Sequence, residues 1–310
     1  MIGIKAIGTY LPPGRISNLA RREDFGLTED SINNRIGFRQ LAVKGSDETT
    51  LSLASLAFRN LVDKTGLDLT AVDAVAVVTQ NPDRNIPHVS AELHGKLSLP
   101  ERCACFDIAL GCSGYVYGLS VLSAFMSAHA MRRGVLVTAD PYSMIVDPAD
   151  KNTSLIFGDG ATATLLTDNP LYVAGAYSFG TMGSEAKNLA CCNDGLLFMN
   201  GRAVFNFAAK YVPADVARVL KRNGLTLEEV NAFIFHQGSR YIVDTVVARL
   251  GVPQEKARFY AADYGNTVSS SIPIILAEEM EDPLNRLILL CGFGLGFSWA
   301  STVLKRLEVN

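Results

Sequence analysis

The chain has 310 residues and 48% hydrophobic content, enough to bury a large core as one large or two moderate domains. Its net charge of −3 provides no basic field for nucleic acid, and no apolar run approaches the ~18 residues a membrane helix requires, so neither nucleic-acid binding nor membrane insertion is expected. The six cysteines read as reduced thiols of a cytoplasmic protein, with no metal site, because Cys103 and Cys105 have no histidine pair nearby and Cys191 and Cys192 are adjacent.

From the N-terminus, residues 2–7 read as a strand rather than a secretory leader. Residues 71–78 form a second apolar strand. Residues 103–108 form a third, which ends at Gly111, and Tyr115, Leu119, Leu122 and Met126 then recur at helical spacing. This strand, tight turn and helix place Cys112 at a helix N-terminus. Unpaired N–H groups and the positive end of the helix dipole favour thiolate there, so the spacing predicts a lowered pKa. A free cysteine is otherwise most often a small buried hydrophobe, and this segment alone leaves both readings open. Residues 134–137 and 161–166 continue as strands up to a join near Asp168-Asn169-Pro170, which divides the chain into 1–168 and 169–310.

The second part repeats the order of the first. Residues 229–235 are an apolar strand ending on His236, residues 264–273 are a turn opening a helix with Asn266 at its start, and residues 286–290 and 299–304 are strands. Val72 and Val230, and Cys112 and Asn266, lie at nearly equal separations. Such a long-period repeat would face the Cys112 and Asn266 turns across a pseudo-two-fold axis. Taken singly, His236 reads as a hydrogen-bonded edge residue and Asn266 as a helix cap. Taken together, a thiol, an imidazole and an amide at the ends of apolar strands sit where α/β folds gather reacting groups, and they suit thioester chemistry. Gly292-Phe293-Gly294-Leu295-Gly296 has neither the following βα unit nor the acidic residue of a dinucleotide loop. It reads as a close backbone approach with an N–H aimed at a thioester oxygen, the alternative being glycines that only permit a turn.

Several motifs in order along the whole chain carry a resemblance. They are Ile7-Gly8-Thr9-Tyr10-Leu11-Pro12, Arg35-Ile36-Gly37-Phe38-Arg39, the Cys112 turn, Phe157-Gly158-Asp159-Gly160-Ala161, His236-Gln237, Gly265-Asn266-Thr267, and Gly292 through Trp299. Together they resemble the β-ketoacyl-acyl-carrier-protein synthase III family of the thiolase superfamily. The resemblance implies an α/β thiolase-like fold of two duplicated halves in α-β-α-β-α layers, with the nucleophile in 1–168 and His and Asn in 169–310. It also implies a homodimer whose substrates are an acyl-CoA or acyl-carrier protein and a malonyl thioester, with no metal or redox cofactor. By the same resemblance Cys112, His236 and Asn266 are catalytic, and the backbone N–H groups of Cys112 and Leu295 form the oxyanion hole. Phe157, Met199, Gly201, Phe205 and Phe293 fall at substrate-lining positions.

The implied reaction is decarboxylative Claisen condensation in fatty-acid or related specialised-metabolite synthesis. Cys112 takes the acyl group, the malonyl thioester loses CO2, and the enolate held by His236 and Asn266 attacks the acyl-Cys112 carbonyl. The sequence also departs from the family. A CoA-stacking tryptophan falls at Ser31, an arginine near the CoA phosphates at Lys151, an asparagine after His-Gln at Ser239, and a carrier-docking arginine at Tyr241, next to Arg240, while Arg35 is retained. Adenine stacking is therefore expected to be weaker, and Lys151 is a point charge where arginine would fork a phosphate. Ile86 replaces the aromatic residue that often closes the acyl pocket across the dimer, which predicts room for medium chains. The alternative is a thiolase-fold acyltransferase that passes the acyl group from Cys112 to an alcohol, an amine or another non-malonyl acceptor. Retention of His236 and Asn266 favours condensation, because acyl transfer forms no enolate and usually needs a general base.

Overall fold

The computed structural model describes residues 1–308. In chain order the elements of the first part are β1 (Gly3–Tyr10), β2 (Gly14–Ser17), β3 (Gln40–Val43), α1 (Thr50–Thr65), β4 (Ala74–Val78), α2 (Val89–Leu97), β5 (Ala104–Ile108), α3 (Gly114–Ala128), β6 (Arg133–Ala139) and β7 (Ala161–Thr167). There follow β8 (Tyr172–Thr181), β9 (Leu189–Cys191), β10 (Leu197–Met199), α4 (Gly201–Asn223), β11 (Ala232–Phe235), α5 (Arg240–Leu250), α6 (Ser271–Glu279), β12 (Leu287–Gly294) and β13 (Ser298–Arg306).

One nine-stranded mixed sheet runs β11-β12-β13-β8-β1-β7-β6-β4-β5. The two parts of the chain meet in it at a single residue pair, Ile4 of β1 opposite Tyr172 of β8. On either side of that seam the order is mirrored. In each part a parallel pair (β4 and β6, or β11 and β12) continues through an antiparallel partner (β7 or β13). Among the described residues β5, which pairs parallel with β4 at the sheet edge, has no counterpart beyond β11.

The side-chain alternation of the strands creates the layers. In β4, Val75 and Val77 pack with Leu53, Phe58 and Leu61 of α1 and Leu93 of α2, whereas Ala74, Ala76 and Val78 join Tyr115, Leu119 and Leu122 of α3. In β12, Leu289, Cys291 and Phe293 pack with Val216 of α4 and Val246 of α5, whereas Ile288 and Leu290 join Ile272, Ile275 and Leu276 of α6. α3 and α6 therefore share one central layer between the two sheet halves, giving the α-β-α-β-α order. Both are apolar on nearly every face, as a helix covered on both sides must be. α3 lies close against the sheet because Gly118 has no side chain. A Cβ there would stand 2.8 Å from Leu136 Cδ1.

Two expectations need correction. Asn266 does not end a strand: the preceding residues form a short 3-10 turn over Ala261–Asp263, and Asn266 itself makes only an isolated parallel bridge with Phe157. α6 begins at Ser271, after a second 3-10 turn over Val268–Ser270, so Asn266 precedes the helix rather than opening it.

Candidate active site

Cys112 follows β5 by a short turn and immediately precedes α3, in the gap left by β12. Glycine at two positions of β12 makes that approach possible. A Cβ on Gly292 would lie 2.6 Å from the Cys112 carbonyl oxygen, and one on Gly294 would lie 2.6 Å from Cys112 Sγ. The glycine-rich segment is thus the end of a strand drawn against the nucleophile.

Burial pushes the Cys112 thiol up to about 12, the opposite of the direction expected from its place at a helix start. Loss of solvent outweighs the helix dipole at a fully buried sulfur, and the carboxylate of Asp140 adds to the rise. The backbone N–H groups of Leu295 and of Cys112 itself act the other way, as hydrogen-bond donors to the sulfur. These are the two groups expected to form the oxyanion hole. Donors that favour a thiolate at this point also favour a tetrahedral oxyanion formed beside it.

His236 follows β11 directly, and its backbone N–H donates to the Cys291 carbonyl on β12 at 3.0 Å. The imidazole is buried, which lowers its pKa to about 3 and keeps it neutral. Its Nδ1 lies 2.8 Å from Ser271 Oγ, and its Nε2 lies 3.4 Å from Asn266 Nδ2. Phe293 meets the ring edge-on at 5.6 Å. Ser271, at the first turn of α6, makes this contact through a hydroxyl that can donate or accept. It therefore serves either tautomer: an Nε2 lone pair that accepts a proton, or an Nε2–H that donates to an anion. Sequence reasoning passed over Ser271 as one of three successive serines, and only its position against Nδ1 separates it from its neighbours.

Asn266 is fixed from both sides. Its backbone N–H donates to the Ile156 carbonyl at 2.8 Å, and its carbonyl accepts from the Gly158 N–H at 3.0 Å. Its Oδ1 accepts from the Val268 N–H at 2.9 Å, which turns Nδ2 toward His236. Val268 holds a left-handed φ of 52°, a strained conformation for a β-branched residue that this local bond stabilises. The Phe157-Gly158-Asp159 motif has a structural reason as well. A Cβ on Gly158 would stand 2.0 Å from the Tyr264 carbonyl oxygen, and the Asp159 carboxylate accepts from Lys44 N–H and from the Ser143 N–H and hydroxyl. Buried Asp140 accepts from the Ser269 hydroxyl at 2.5 Å and so ties β6 to the turn after Asn266, while burial raises its carboxyl to about 6.

Cys112, His236 and Asn266 line one cavity of about 320 Å³. Of the residues expected to bind substrate, Arg35, Phe157, Met199, Gly201, Phe205, Ser239 and Phe293 line the same cavity. Phe205 stacks on Tyr241 at 5.0 Å, and both belong to the lining, as does Arg202, a second guanidinium that the sequence did not suggest. Lys151 is exposed and lies outside this lining, and Ile86 is 86% exposed on the surface of the single chain. Ser239 caps α5 by accepting from the Ile242 N–H at 3.3 Å.

Comparison with known proteins decides the family. Residues 106–183 match the family described as 3-oxoacyl-[acyl-carrier-protein (ACP)] synthase III, and residues 220–306 match its C-terminal counterpart. The β-ketoacyl-[acyl-carrier-protein] synthase III of Geobacillus kaustophilus is 32% identical over 307 residues, covering 98% of each chain. The chain belongs to the β-ketoacyl-acyl-carrier-protein synthase III family. Among solved structures, the synthase III of Thermus thermophilus superposes with a TM-score of 0.90 at 32% identity, over 99% of this chain and 100% of the other. The priming β-ketosynthase of the R1128 polyketide pathway gives 0.89 at 27% identity, over 99% and 97%. The fold is thus the thiolase-like α/β fold of this family, and this ketosynthase III is a condensing enzyme.

Proposed function

We propose that this ketosynthase III condenses an acyl thioester with a malonyl thioester, with loss of CO2. The observation that carries this reading is the pairing of a neutral imidazole and a fixed amide in one buried cavity with the thiol. Two neutral donors converging on one point are what an enolate oxygen needs, whereas acyl transfer to an alcohol or amine forms no enolate and would leave the fixed Asn266 amide without a charge to hold.

In the first half-reaction Cys112 Sγ attacks the acyl carbonyl, and the oxyanion lies between the N–H groups of Cys112 and Leu295. The thiol proton passes to His236 Nε2, the imidazole of the same cavity, and from there to the departing thiolate. This returns the ring to neutrality. In the second, the malonyl carboxylate leaves as CO2, and Nε2–H together with Asn266 Nδ2–H hold the enolate. The nucleophilic carbon then attacks the acyl-Cys112 carbonyl and regenerates the cysteine. The reading calls for no metal or redox cofactor.

Acyl-CoA or acyl-carrier protein delivers the first substrate, with Arg35 and Arg202 placed to meet a phosphate at the cavity mouth. The working unit is a homodimer. β5 is the free edge of the nine-stranded sheet and carries the half-buried Phe106 and Ile108, an edge that a second copy would cover. The six cysteines, read as reduced thiols, favour the cytoplasm as the enzyme's compartment, and among the described residues no helix is long and apolar enough to cross a membrane. The test is a reaction with an acyl-CoA and isotopically labelled malonyl thioester. A β-ketoacyl product with one CO2 released per product supports the reading, and acyl transfer without CO2 release refutes it.

A further inference from the structure

The two oxyanion-hole donors come from remote parts of the chain. The Cys112 N–H stands at the start of α3, and the Leu295 N–H stands in the short turn Leu295–Phe297 that joins β12 to β13. Glycine flanks Leu295 on both sides, and Gly296 holds a φ of 123°, which an L side chain rarely adopts. Backbone with that freedom does not by itself aim an N–H at a fixed point, so a neighbouring group must hold Leu295.

Two buried serines do so. Ser298, the first residue of β13, donates its hydroxyl to the Leu295 carbonyl at 2.7 Å, and its Oγ lies 2.7 Å from the Oγ of Ser113, the residue after the nucleophile. A serine hydroxyl has one proton, and that of Ser298 goes to Leu295, so Ser113 is the donor in the second contact. The bonds therefore run in one direction, from Ser113 through Ser298 to the Leu295 carbonyl. Ser113 is also the N-cap of α3, where a serine side chain ordinarily accepts from the first turn of its own helix. It makes no such bond here, and its hydroxyl is turned instead to a partner 185 residues away. On the other side of Leu295, Gly294 is fixed opposite Ser298 in the β12–β13 ladder. The residue that carries the N–H is thus held at both ends, and one end is tied to the nucleophile turn itself.

We infer that Ser113 and Ser298 are positioning residues that set the separation of the two oxyanion donors. They act through Leu295, and so on every step in which an oxyanion forms at the acyl carbonyl held by Cys112. Loss of CO2 lies outside their reach, because His236 and Asn266 hold the enolate. The inference rests on the acyl-enzyme reading for the step it serves, but the aim of the Leu295 N–H at the Cys112 sulfur can be tested without a substrate.

The experiment compares Ser298→Ala, Ser113→Ala, the double variant and the conservative Ser298→Thr by three rates: Cys112 acylation by an acyl-CoA, alkylation of Cys112 by iodoacetamide, and CO2 release from malonyl-CoA alone. Acylation at saturation should fall by about 10–10²-fold in Ser298→Ala, the scale of a misplaced reacting group, with KM for the acyl-CoA unchanged. Alkylation should slow by about threefold or more, because the thiolate loses one hydrogen bond. CO2 release should stay at the wild-type rate, which also shows that the variant is folded. Ser113→Ala should have the smaller effect, the double variant should be no worse than Ser298→Ala, and Ser298→Thr should restore both Cys112 rates. Wild-type acylation and alkylation in Ser298→Ala overturn the inference, as does an equal fall in CO2 release, the mark of general disruption. Failure of the wild type to take any acyl group, with alkylation still slowed in Ser298→Ala, ends the acyl-enzyme reading and leaves the positioning role standing.

Discussion

The turns that carry Cys112 and Asn266 sit in the two corresponding parts of the chain, one before α3 and the other before α6. They are built in opposite ways. Around Cys112 the working groups are backbone: two N–H donors, and two glycines that let β12 approach the sulfur. Around Asn266 they are side chains, namely the amide, the His236 ring and the Ser271 hydroxyl, each fixed by a hydrogen bond of its own. Backbone donors survive most substitutions but fail when a Cβ intrudes. Side-chain donors vanish with a single truncation and leave the backbone where it was.

The largest effect should come from truncating the side-chain donors. Asn266→Ala or His236→Ala should lower malonyl decarboxylation by about 10²–10³-fold, the usual loss for one donor at a developing oxyanion. The Asn266→Ala variant should still acylate Cys112. Release of CO2 at the wild-type rate in either variant would break the contrast. Gly294→Ala is the complementary test: its Cβ would meet Cys112 Sγ at 2.6 Å, so the sulfur or the strand must move. Displacement on the order of 1 Å at a reacting atom costs about 10²-fold, here in acylation, while the fold persists. Wild-type acylation by Gly294→Ala would show that the close approach has no functional weight.

The smallest effect is a pH response that sharpens the comparison. With the Cys112 thiol at about 12, its alkylation should accelerate about tenfold per pH unit between neutral and strongly alkaline pH. A plateau near pH 8 would mean the backbone donors outweigh burial. The folded thiol stands above its ordinary value of 9.0, so its contribution to stability is complete below that pH and is lost as the pH rises toward about 12. The alkaline loss of stability should accordingly be smaller in Cys112→Ala. His236, held neutral down to about 3, should by contrast add no titration to decarboxylation between pH 5 and 8.

The comparison also marks what could be read without a structure. The sequence by itself determined the elements whose signal is local. Strand period and apolar runs revealed β1, β4, β5, β6, β7, β11, β12 and β13, and the family motifs pointed to Cys112, His236, Asn266 and Leu295. It did not reveal that residues before Asn266 are turn rather than strand, because 257–265 are apolar enough to imitate one and their partner, Ile156 to Gly158, is remote in sequence. Nor did it reveal the direction of the Cys112 shift. A helix dipole is a property of neighbours along the chain, but desolvation comes from Gly294, Leu295 and the central layer, which only the folded sheet brings to the sulfur. Ser271 acquired meaning for the same reason: a serine among serines becomes specific only when the tertiary structure sets it against one nitrogen of His236.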